Sequence, residues 1–383
     1  MNRGNWALLK THTIRATDLM RILIATDAWR PQVNGVVHTL EATALAAKSL
    51  GAEVSFLTAE GFPTVGLPSY PGIRIALPRA REIARRVSAV RPDAVHIATE
   101  GPIGYFVRRL CLADRLAFTT SLHTRFADYL AARWPIPPNW TWRWMRWFHN
   151  AGRGTMVSTV SLANELRSHG FNNVLQWPRG VDSVLFHPDR IRDLGLKRPI
   201  FLTVGRLAVE KNLDAFLALE LPGTTVVVGD GPARPALESR YRDAVFLGTK
   251  HGAELAAIYA STDVFVFPSR TDTFGLVLLE ALACGLPIAG FPVAATQDVV
   301  GASPVAVLDD DLRAACLGAL AIPRDACRQY AETLTWEASA RSFLGNLVNI
   351  RNSAPVPLPS PSQVSSRTGW GAQAPGLWKQ TPP

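Results

Sequence analysis

The feature that most constrains this chain is an alternation of short apolar runs with helical stretches, which occurs twice along the sequence. The first round begins with a buried run over 21–26, then a polar loop and a helical stretch over 36–50. The second round begins with a buried run over 199–204. Strands that alternate with helices form parallel, doubly wound sheets. We therefore predict an α/β protein with two Rossmann-like halves whose strand ends face a cleft.

The same pattern divides the chain into five parts. We predict an N-terminal extension over 1–19, a Rossmann-like domain over 20–178 and a second one over 179–335. A final amphipathic helix over 336–352 would pack back on the N-terminal domain, and a Pro/Ser-rich tail over 353–383 is expected to be disordered. Further strands are predicted over 53–58, 73–76, 94–97, 117–121 and 155–160, and over 225–228, 245–247, 264–267 and 287–289.

Composition narrows the class of partner and the compartment. The net charge of +9 favours partners that carry phosphate. We find no DNA- or RNA-binding motif, so no nucleic acid is expected. No apolar run reaches the roughly 20 residues that span a membrane, and residues 1–19 lack the apolar core of a signal peptide. The four cysteines show no metal-type spacing. A cytoplasmic protein with reduced thiols is the simplest interpretation.

One block of the second half combines two acids with the start of a helix. Asp272 lies on the loop after the predicted strand 264–267, and Glu280 lies eight residues later in a helical stretch over 276–284. Gly275 directly precedes that stretch. Free N–H groups at the start of a helix attract anions. An anionic ligand is therefore expected between the strand and the helix.

Two cations follow the first strand of the second half. Gly205 permits a tight exit from this strand, and Arg206 and Lys211 come after it. Both are expected at the sheet edge that carries Asp272. A guanidinium fork beside a point ammonium charge suits a diphosphate, although Arg and Lys in a loop are by themselves more often only solvated.

Two loops of the first half lead to the same predicted cleft. Gly35 opens the helix after the first strand, where the missing side chain lets a diphosphate or a sugar approach closely. His123 follows the predicted strand 117–121 and is expected at the cleft edge. A histidine there is either structural or catalytic, and a carboxylate on the opposite side slightly favours a catalytic role.

The segment 133–148 interleaves arginines with large aromatic residues. Aromatic and arginine side chains on one helix are typical of contact with an anionic membrane surface. The alternative is a helix packed on its own domain with a few exposed indole rings. The sequence leaves both interpretations open. The aromatic residues are Trp134, Trp140, Trp142, Trp144, Trp147 and Phe148.

Together these motifs resemble the retaining, nucleotide-sugar-dependent glycosyltransferases of family 4, which have the two-lobed GT-B architecture. The resemblance covers about residues 20–350. Its motifs stand in the family's order: Gly-Arg-Leu-x-x-Glu-Lys-Asn from Gly205, Gly-Asp-Gly-Pro from Gly229, and Asp272 with Glu280. The segments 34–36, 179–182 and 271–275 are similar to the branch of GDP-mannose-dependent α-mannosyltransferases and sulfoquinovosyl-diacylglycerol synthases.

The resemblance implies a role for each site residue. Glu280 would hold the ribose hydroxyls, and Asp272 would contact the donor sugar where most members carry a glutamate. The implied catalytic residues are Asp272, His123, Arg206 and Lys211. The implied donor-binding residues are Asn34, Gly35, Arg206, Lys211, Phe274, Gly275, Leu276 and Glu280. The domain 20–178 would bind the acceptor, and the domain 179–335 the nucleotide sugar.

The expected enzyme is a hexosyltransferase that moves a hexose, with retention, from GDP-mannose or a UDP-sugar to a lipid, lipid-linked or glycan hydroxyl. The cations would stabilise the leaving phosphate in place of a metal ion, so the expected reaction is metal-independent and needs no cofactor. A sugar-nucleotide 2-epimerase of the same fold and a non-catalytic sugar-nucleotide-binding protein stay open as alternatives. The expected location is the cytoplasm, with peripheral contact at the inner face of the plasma membrane through 133–148.

Overall fold

The computed structural model describes residues 20–30, 34–67, 70–123 and 137–352. The predicted extension over 1–19 and the predicted tail over 353–383 therefore lie outside the described residues, as do positions 133–136. The buried apolar residues form cores on both faces of two sheets.

The first half contains a six-stranded parallel sheet. Its strands are β1 (Met20–Ala25), β2 (Ala52–Leu57), β5 (Ala94–Ile97), β6 (Phe118–Ser121), β7 (Gly154–Val157) and β8 (Val174–Gln176). They lie side by side in the order β2-β1-β5-β6-β7-β8. All four residues of β5 and of β6 are buried, as expected for strands that helices cover on both faces. The helices are α1 (Gly35–Ser49), α2 (Ala80–Val90), α3 (Pro102–Ala113), α4 (Pro138–His149) and α5 (Val160–Ser168).

One predicted strand of the first half is misplaced. The run predicted over 73–76 belongs to β4 (Tyr70–Ala76), which pairs antiparallel with β3 (Thr64–Leu67) in a separate two-stranded sheet. Its apolar pattern correctly indicates a strand, but pattern alone does not identify the partner strand.

The second half repeats the arrangement. Its strands are β9 (Ile200–Val204), β10 (Thr224–Val228), β11 (Val245–Phe246), β12 (Val264–Phe267), β13 (Ile288–Gly290) and β14 (Ala306–Leu308). They lie in the order β11-β10-β9-β12-β13-β14, so the strand order reverses between β9 and β12. The helices are α6 (Leu213–Leu217), α7 (Arg234–Arg240), α8 (Gly252–Ser261), α9 (Leu276–Ala283), α10 (Ala294–Val300), α11 (Leu312–Ala319) and α12 (Arg324–Glu332). The predicted fold of two Rossmann-like halves is confirmed.

The last helix, α13 (Trp336–Asn352), belongs to the core of the first half. Phe343, Leu344 and Leu347 are buried there in one cluster with Ile22 and Ile24 of β1. The sequence-based domain boundaries themselves stay a prediction.

The connection between the halves passes close to the start of α13. A Cβ on Gly180 would lie 2.3 Å from the backbone of Thr335 and Trp336, so no larger residue fits at this crossing. The neighbouring Val181 donates its N–H to the carbonyl of Leu334 at 2.9 Å. The connection is therefore held against the helix that follows the second half.

Candidate active site

The topology brings the predicted cations and Asp272 to one edge of the second sheet. Arg206 and Lys211 follow β9, and Asp272 follows β12, the strand next to it. This is the point where the strand order reverses, the usual ligand position in open α/β sheets. Lys211 Nζ lies 2.5 Å from Asp272 Oδ1. Arg206 forms an ion pair with Glu210, a partner that the sequence did not reveal.

The glycines near this edge have a packing role. The strand-end loops after β9 and β10 run against each other, and a Cβ on Gly229 would lie 1.9 Å from the carbonyl oxygen of Gly205. A Cβ on Gly231 would lie 2.4 Å from the carbonyl oxygen of Leu207. The Gly-Asp-Gly-Pro motif is therefore required for the close approach of these two loops.

The two carboxylate oxygens of Asp272 differ in their hydrogen bonding. Oδ1 accepts from Lys211, whereas Oδ2 is buried and finds no hydrogen-bond partner among the residues that the structure describes. Ser269 Oγ, on the same loop, is likewise buried without a partner in the described part of the chain. Buried polar atoms are nearly always hydrogen-bonded in native proteins, so these two oxygens mark a place where a polar ligand group fits.

Helix α9 begins beside this loop. Its N-cap Gly275 has φ +82°, and no side chain caps the first N–H groups. A Cβ at Gly275 would also lie 2.9 Å from Phe267 Cζ, so glycine is needed for both conformation and space. The backbone at Phe274, Gly275 and Leu276 therefore forms the helix start where the donor site was predicted.

Glu280 is the fifth residue of α9. Its Oε2 accepts a hydrogen bond from the Tyr259 hydroxyl at 3.0 Å. Burial raises the pKa of the Glu280 carboxyl to about 7, against the smaller opposite effect of this hydrogen bond. The carboxyl therefore changes charge close to neutral pH.

The first half presents a second helix start to the same space. Asn34 caps α1, since its Oδ1 accepts from the N–H groups of Val36 and Val37, both at 3.0 Å. A Cβ on Gly35 would lie 3.7 Å from Leu276 Cδ1 in the second half. The N-termini of α1 and α9, each carrying a partial positive charge, thus approach each other across the cleft.

His123 also reaches the second half, but through its backbone. Its carbonyl accepts a hydrogen bond from Thr273 Oγ1 at 2.8 Å, directly next to Asp272. Both ring nitrogens point to residues of the first half and its connection: Nε2 lies 2.8 Å from Ser121 Oγ, and Nδ1 lies 3.3 Å from Arg179 Nη2. The sequence correctly predicted His123 at the cleft but not its three hydrogen-bond partners. Arg179 and Thr273 are remote from His123 in the chain, and nothing in the sequence marks the nearby Ser121 as a partner of its ring.

Helix α4 has one buried face and one exposed aromatic face. Trp142 stacks on His169 with ring centroids 3.9 Å apart, and Met145 is buried. Trp140 is 70% exposed and Trp147 48% exposed, and Trp144 is also exposed. The helix thus packs on its own domain with a few indole rings exposed, as one of the two interpretations predicts, and contact with a membrane stays a prediction.

Two further features bear on the type of site. No group of three or more His, Cys, Asp or Glu side chains that could hold a metal ion occurs in the described ranges. Across those same residues, no helix has the length and apolar character needed to cross a bilayer.

The two Rossmann-like sheets, with paired cations and helix starts at the strand-order reversal, form the two-lobed fold of the GT-B class. A solved structure of sucrose-phosphate synthase from Thermosynechococcus elongatus shares this fold, with a TM-score of 0.70 at 20% identity over 86% of this chain and 98% of that one.

Sequence comparison then identifies the family. A family model described as "Glycosyltransferase Family 4" matches residues 33–184, and one described as "Glycosyl transferases group 1" matches residues 198–322. A GDP-mannose-dependent alpha-mannosyltransferase of Mycolicibacterium smegmatis is 31% identical over 322 residues, 76% of this chain and 84% of the relative. The chain belongs to glycosyltransferase family 4, as its motifs predicted.

Two other relatives show the range of the family. Sulfoquinovosyl transferase SQD2 of Arabidopsis thaliana is 30% identical over 252 residues, 61% of this chain and 49% of the relative. Alpha-monoglucosyldiacylglycerol synthase of Acholeplasma laidlawii is 28% identical over 323 residues, 70% of this chain and 79% of the relative. The suspected branch is therefore confirmed, and the protein is a hexosyltransferase.

Proposed function

We propose that this enzyme transfers a hexose, with retention and without a metal ion, from a nucleoside diphosphate sugar to a hydroxyl of a lipid acceptor. GDP-mannose is the first candidate donor, because a relative with high coverage is named for its dependence on it. A UDP-sugar is the second candidate. A lipid acceptor is supported by the relative named as a diacylglycerol glucosyltransferase.

One observation carries the donor site: the Lys211–Asp272 pair, the start of α9 and Gly35 converge at the strand-order reversal. In the proposed complex the diphosphate lies between the two helix starts, near Lys211 and Arg206. The open Oδ2 of Asp272 then accepts a sugar hydroxyl, and the Glu280 carboxylate accepts the ribose hydroxyls.

The proposed chemistry follows from the charges. Negative charge grows on the outer phosphate as the glycosidic bond breaks, and the two side-chain cations together with the helix starts stabilise it. The acceptor hydroxyl attacks the oxocarbenium-like sugar from the same face, and its proton passes to the departing phosphate. Arg206 and Lys211 are each paired with a carboxylate before the donor binds, so the diphosphate must compete with Glu210 and Asp272 for them.

The acceptor side is proposed for the first half. The exposed indole rings of Trp140, Trp144 and Trp147 lie on one helix with the exposed arginines Arg143 and Arg146. Such a face suits an anionic membrane surface, where the apolar rings enter the interface and the cations meet lipid phosphates. The enzyme would then act as a peripheral protein on the cytoplasmic side.

The test is a ligand screen followed by a transfer assay. A ligand that binds only the folded protein stabilises it by about 2.7 kcal/mol at a hundredfold excess over Kd, so the right nucleotide raises the melting temperature. We expect GDP to do so more than UDP or ADP, and GDP-mannose to label a diacylglycerol-containing vesicle in the presence of EDTA. If none of the three nucleotides raises the melting temperature, or if EDTA abolishes transfer, the proposal is wrong.

A further inference from the structure

A buried chain of hydrogen bonds runs from the inter-lobe connection through His123 into the first sheet. Arg179 Nη2 lies 3.3 Å from His123 Nδ1, and His123 Nε2 lies 2.8 Å from Ser121 Oγ. Ser121 Oγ lies 3.1 Å from His96 Nε2, and His96 Nδ1 lies 2.8 Å from Thr119 Oγ1. Four of these five side chains are 5% exposed or less, and His123 is partly buried.

The first member of the chain fixes the position of the proton on the His123 ring. A guanidinium carries only donors, so His123 Nδ1 must be the unprotonated acceptor. The ring proton then lies on Nε2 and is donated to Ser121. The Ser121 hydroxyl then donates to His96 Nε2 at 3.1 Å, a shorter contact than its other acceptor, the Ala98 carbonyl at 3.5 Å. With Nε2 as an acceptor, His96 carries its proton on Nδ1 and donates it to Thr119. Each of the four contacts is satisfied by this one assignment of protons.

Arg179 is suited to donate to His123 because its guanidinium has only neutral partners in the described part of the chain. Its Nη1 donates to the Trp177 carbonyl at 2.6 Å, and its guanidinium lies 4.3 Å from the centre of the Trp177 ring. No carboxylate pairs with Arg179 among the described residues. A buried cation without an anion makes a second positive charge beside it costly.

From this geometry we propose that Arg179 is a positioning residue for the transfer reaction: it holds His123 as the neutral ring protonated on Nε2. The neutral His123 ring then lines the sugar site and does not act as an acid or a base. The His123 carbonyl also accepts a hydrogen bond from Thr273, the neighbour of Asp272. Fixing the position of His123 therefore also fixes the loop that is proposed to contact the sugar. The expected effect on catalysis rests on the proposed function, whereas the protonation state of His123 does not.

The charged groups around His123 agree with a ring that stays neutral. Arg179 faces it from the connection, His96 faces it from β5, and the Lys211–Asp272 pair lies one residue beyond Thr273. Burial, followed by the positive charge of Arg179, lowers the pKa of His123 well below its usual value. Activity between pH 5.5 and 8 is therefore expected to show no titration of His123.

The direct test is the ring state in the full-length protein without substrate. Long-range proton–nitrogen NMR spectra of ¹⁵N-histidine-labelled protein, with His123 assigned by His123→Gln, should show a neutral ring protonated on Nε2 throughout pH 5.5–8. Arg179→Met removes the donors and the charge while keeping an apolar side chain against Trp177. In this variant the ring should no longer be held in the single tautomer protonated on Nε2, and the pKa of His123 should rise, although burial still keeps it below the ordinary histidine value. A titrating His123 in the natural protein, or an unchanged ring state in Arg179→Met, overturns the proposal.

A milder pair of variants covers the case that Arg179→Met does not fold. Ser121→Ala removes the acceptor for His123 Nε2 and should lower kcat about tenfold with KM within about twofold. Thr120→Val alters the neighbouring residue of β6, whose hydroxyl contacts His149 and not the chain described above, and should leave kcat unchanged. Equal kcat for Ser121→Ala and Thr120→Val contradicts a positioning role. The NMR result needs no substrate, so it stands apart from any failure to find transfer activity.

Discussion

Gly35→Ala separates the proposed donor site from the stability of the fold. Gly35 is the first residue of α1, and its φ does not lie in the left-handed region. Among the described residues, a Cβ here would meet nothing closer than Leu276 Cδ1 at 3.7 Å, an ordinary contact. Alanine is also the better helix former, by up to about 1 kcal/mol. The melting temperature should therefore stay the same or rise slightly.

The same methyl group fills the gap between the starts of α1 and α9, where the diphosphate is proposed to lie. Pushing a phosphate oxygen out of reach of one N–H group removes a charge-assisted hydrogen bond worth about 1.5–3 kcal/mol. Nucleotide affinity should then fall roughly 10- to 150-fold.

Isothermal titration of GDP into both proteins measures this difference. Gly345→Ala is the matched control, because Gly345 lies in α13 and a Cβ there meets no atom of the described part of the chain within 4 Å. The control should bind GDP normally. Binding by Gly35→Ala within about twofold of the natural protein would show that the nucleotide does not pass between the two helix starts.

Two further predictions concern the nucleotide and the membrane. With a Glu280 pKa of about 7, the carboxylate that binds ribose forms as the pH rises through 7, so GDP affinity should rise from pH 6 to 8 and reach a plateau above it. Glu280→Gln should remove this dependence in titration calorimetry, and a pH-independent affinity in the natural protein would count against the ribose role. Replacing Trp140, Trp144 and Trp147 by Ser should reduce sedimentation with anionic liposomes, since these rings are exposed. Trp142→Ser should instead lower the melting temperature, because this ring stacks on a neighbour, and unchanged liposome binding in the triple variant would end the membrane proposal.

The positions of the charged site residues could be predicted from local sequence because these residues lie in the loops directly after strands. Arg206, Lys211 and Asp272 each follow a short apolar run, and parallel strands bring such ends to one edge. The same argument predicts that Lys211 and Asp272 lie at one sheet edge, but it does not predict their direct contact at 2.5 Å.

The remaining contacts depend on packing between distant parts of the chain. Ser121 and Arg179 reach the His123 ring from opposite directions, and Tyr259 reaches Glu280 from another helix. A hydrophobic pattern reports which face of an element is buried and not which residue lies opposite. The same limit explains why β4 was predicted as a strand but not as part of a hairpin.

The central claim is that side-chain cations, and not a metal ion, stabilise the leaving phosphate. The most direct measurement is the single-turnover rate of Arg206→Ala with EDTA present, at saturating donor. The exposed Arg206–Glu210 pair contributes less than about 1 kcal/mol to folding, so the variant should stay folded. Its rate should fall about 10²- to 10³-fold. The control Arg341→Ala removes an equivalent Arg–Glu pair on α13 and should react normally. A rate for Arg206→Ala within a few-fold of the control would contradict the claim.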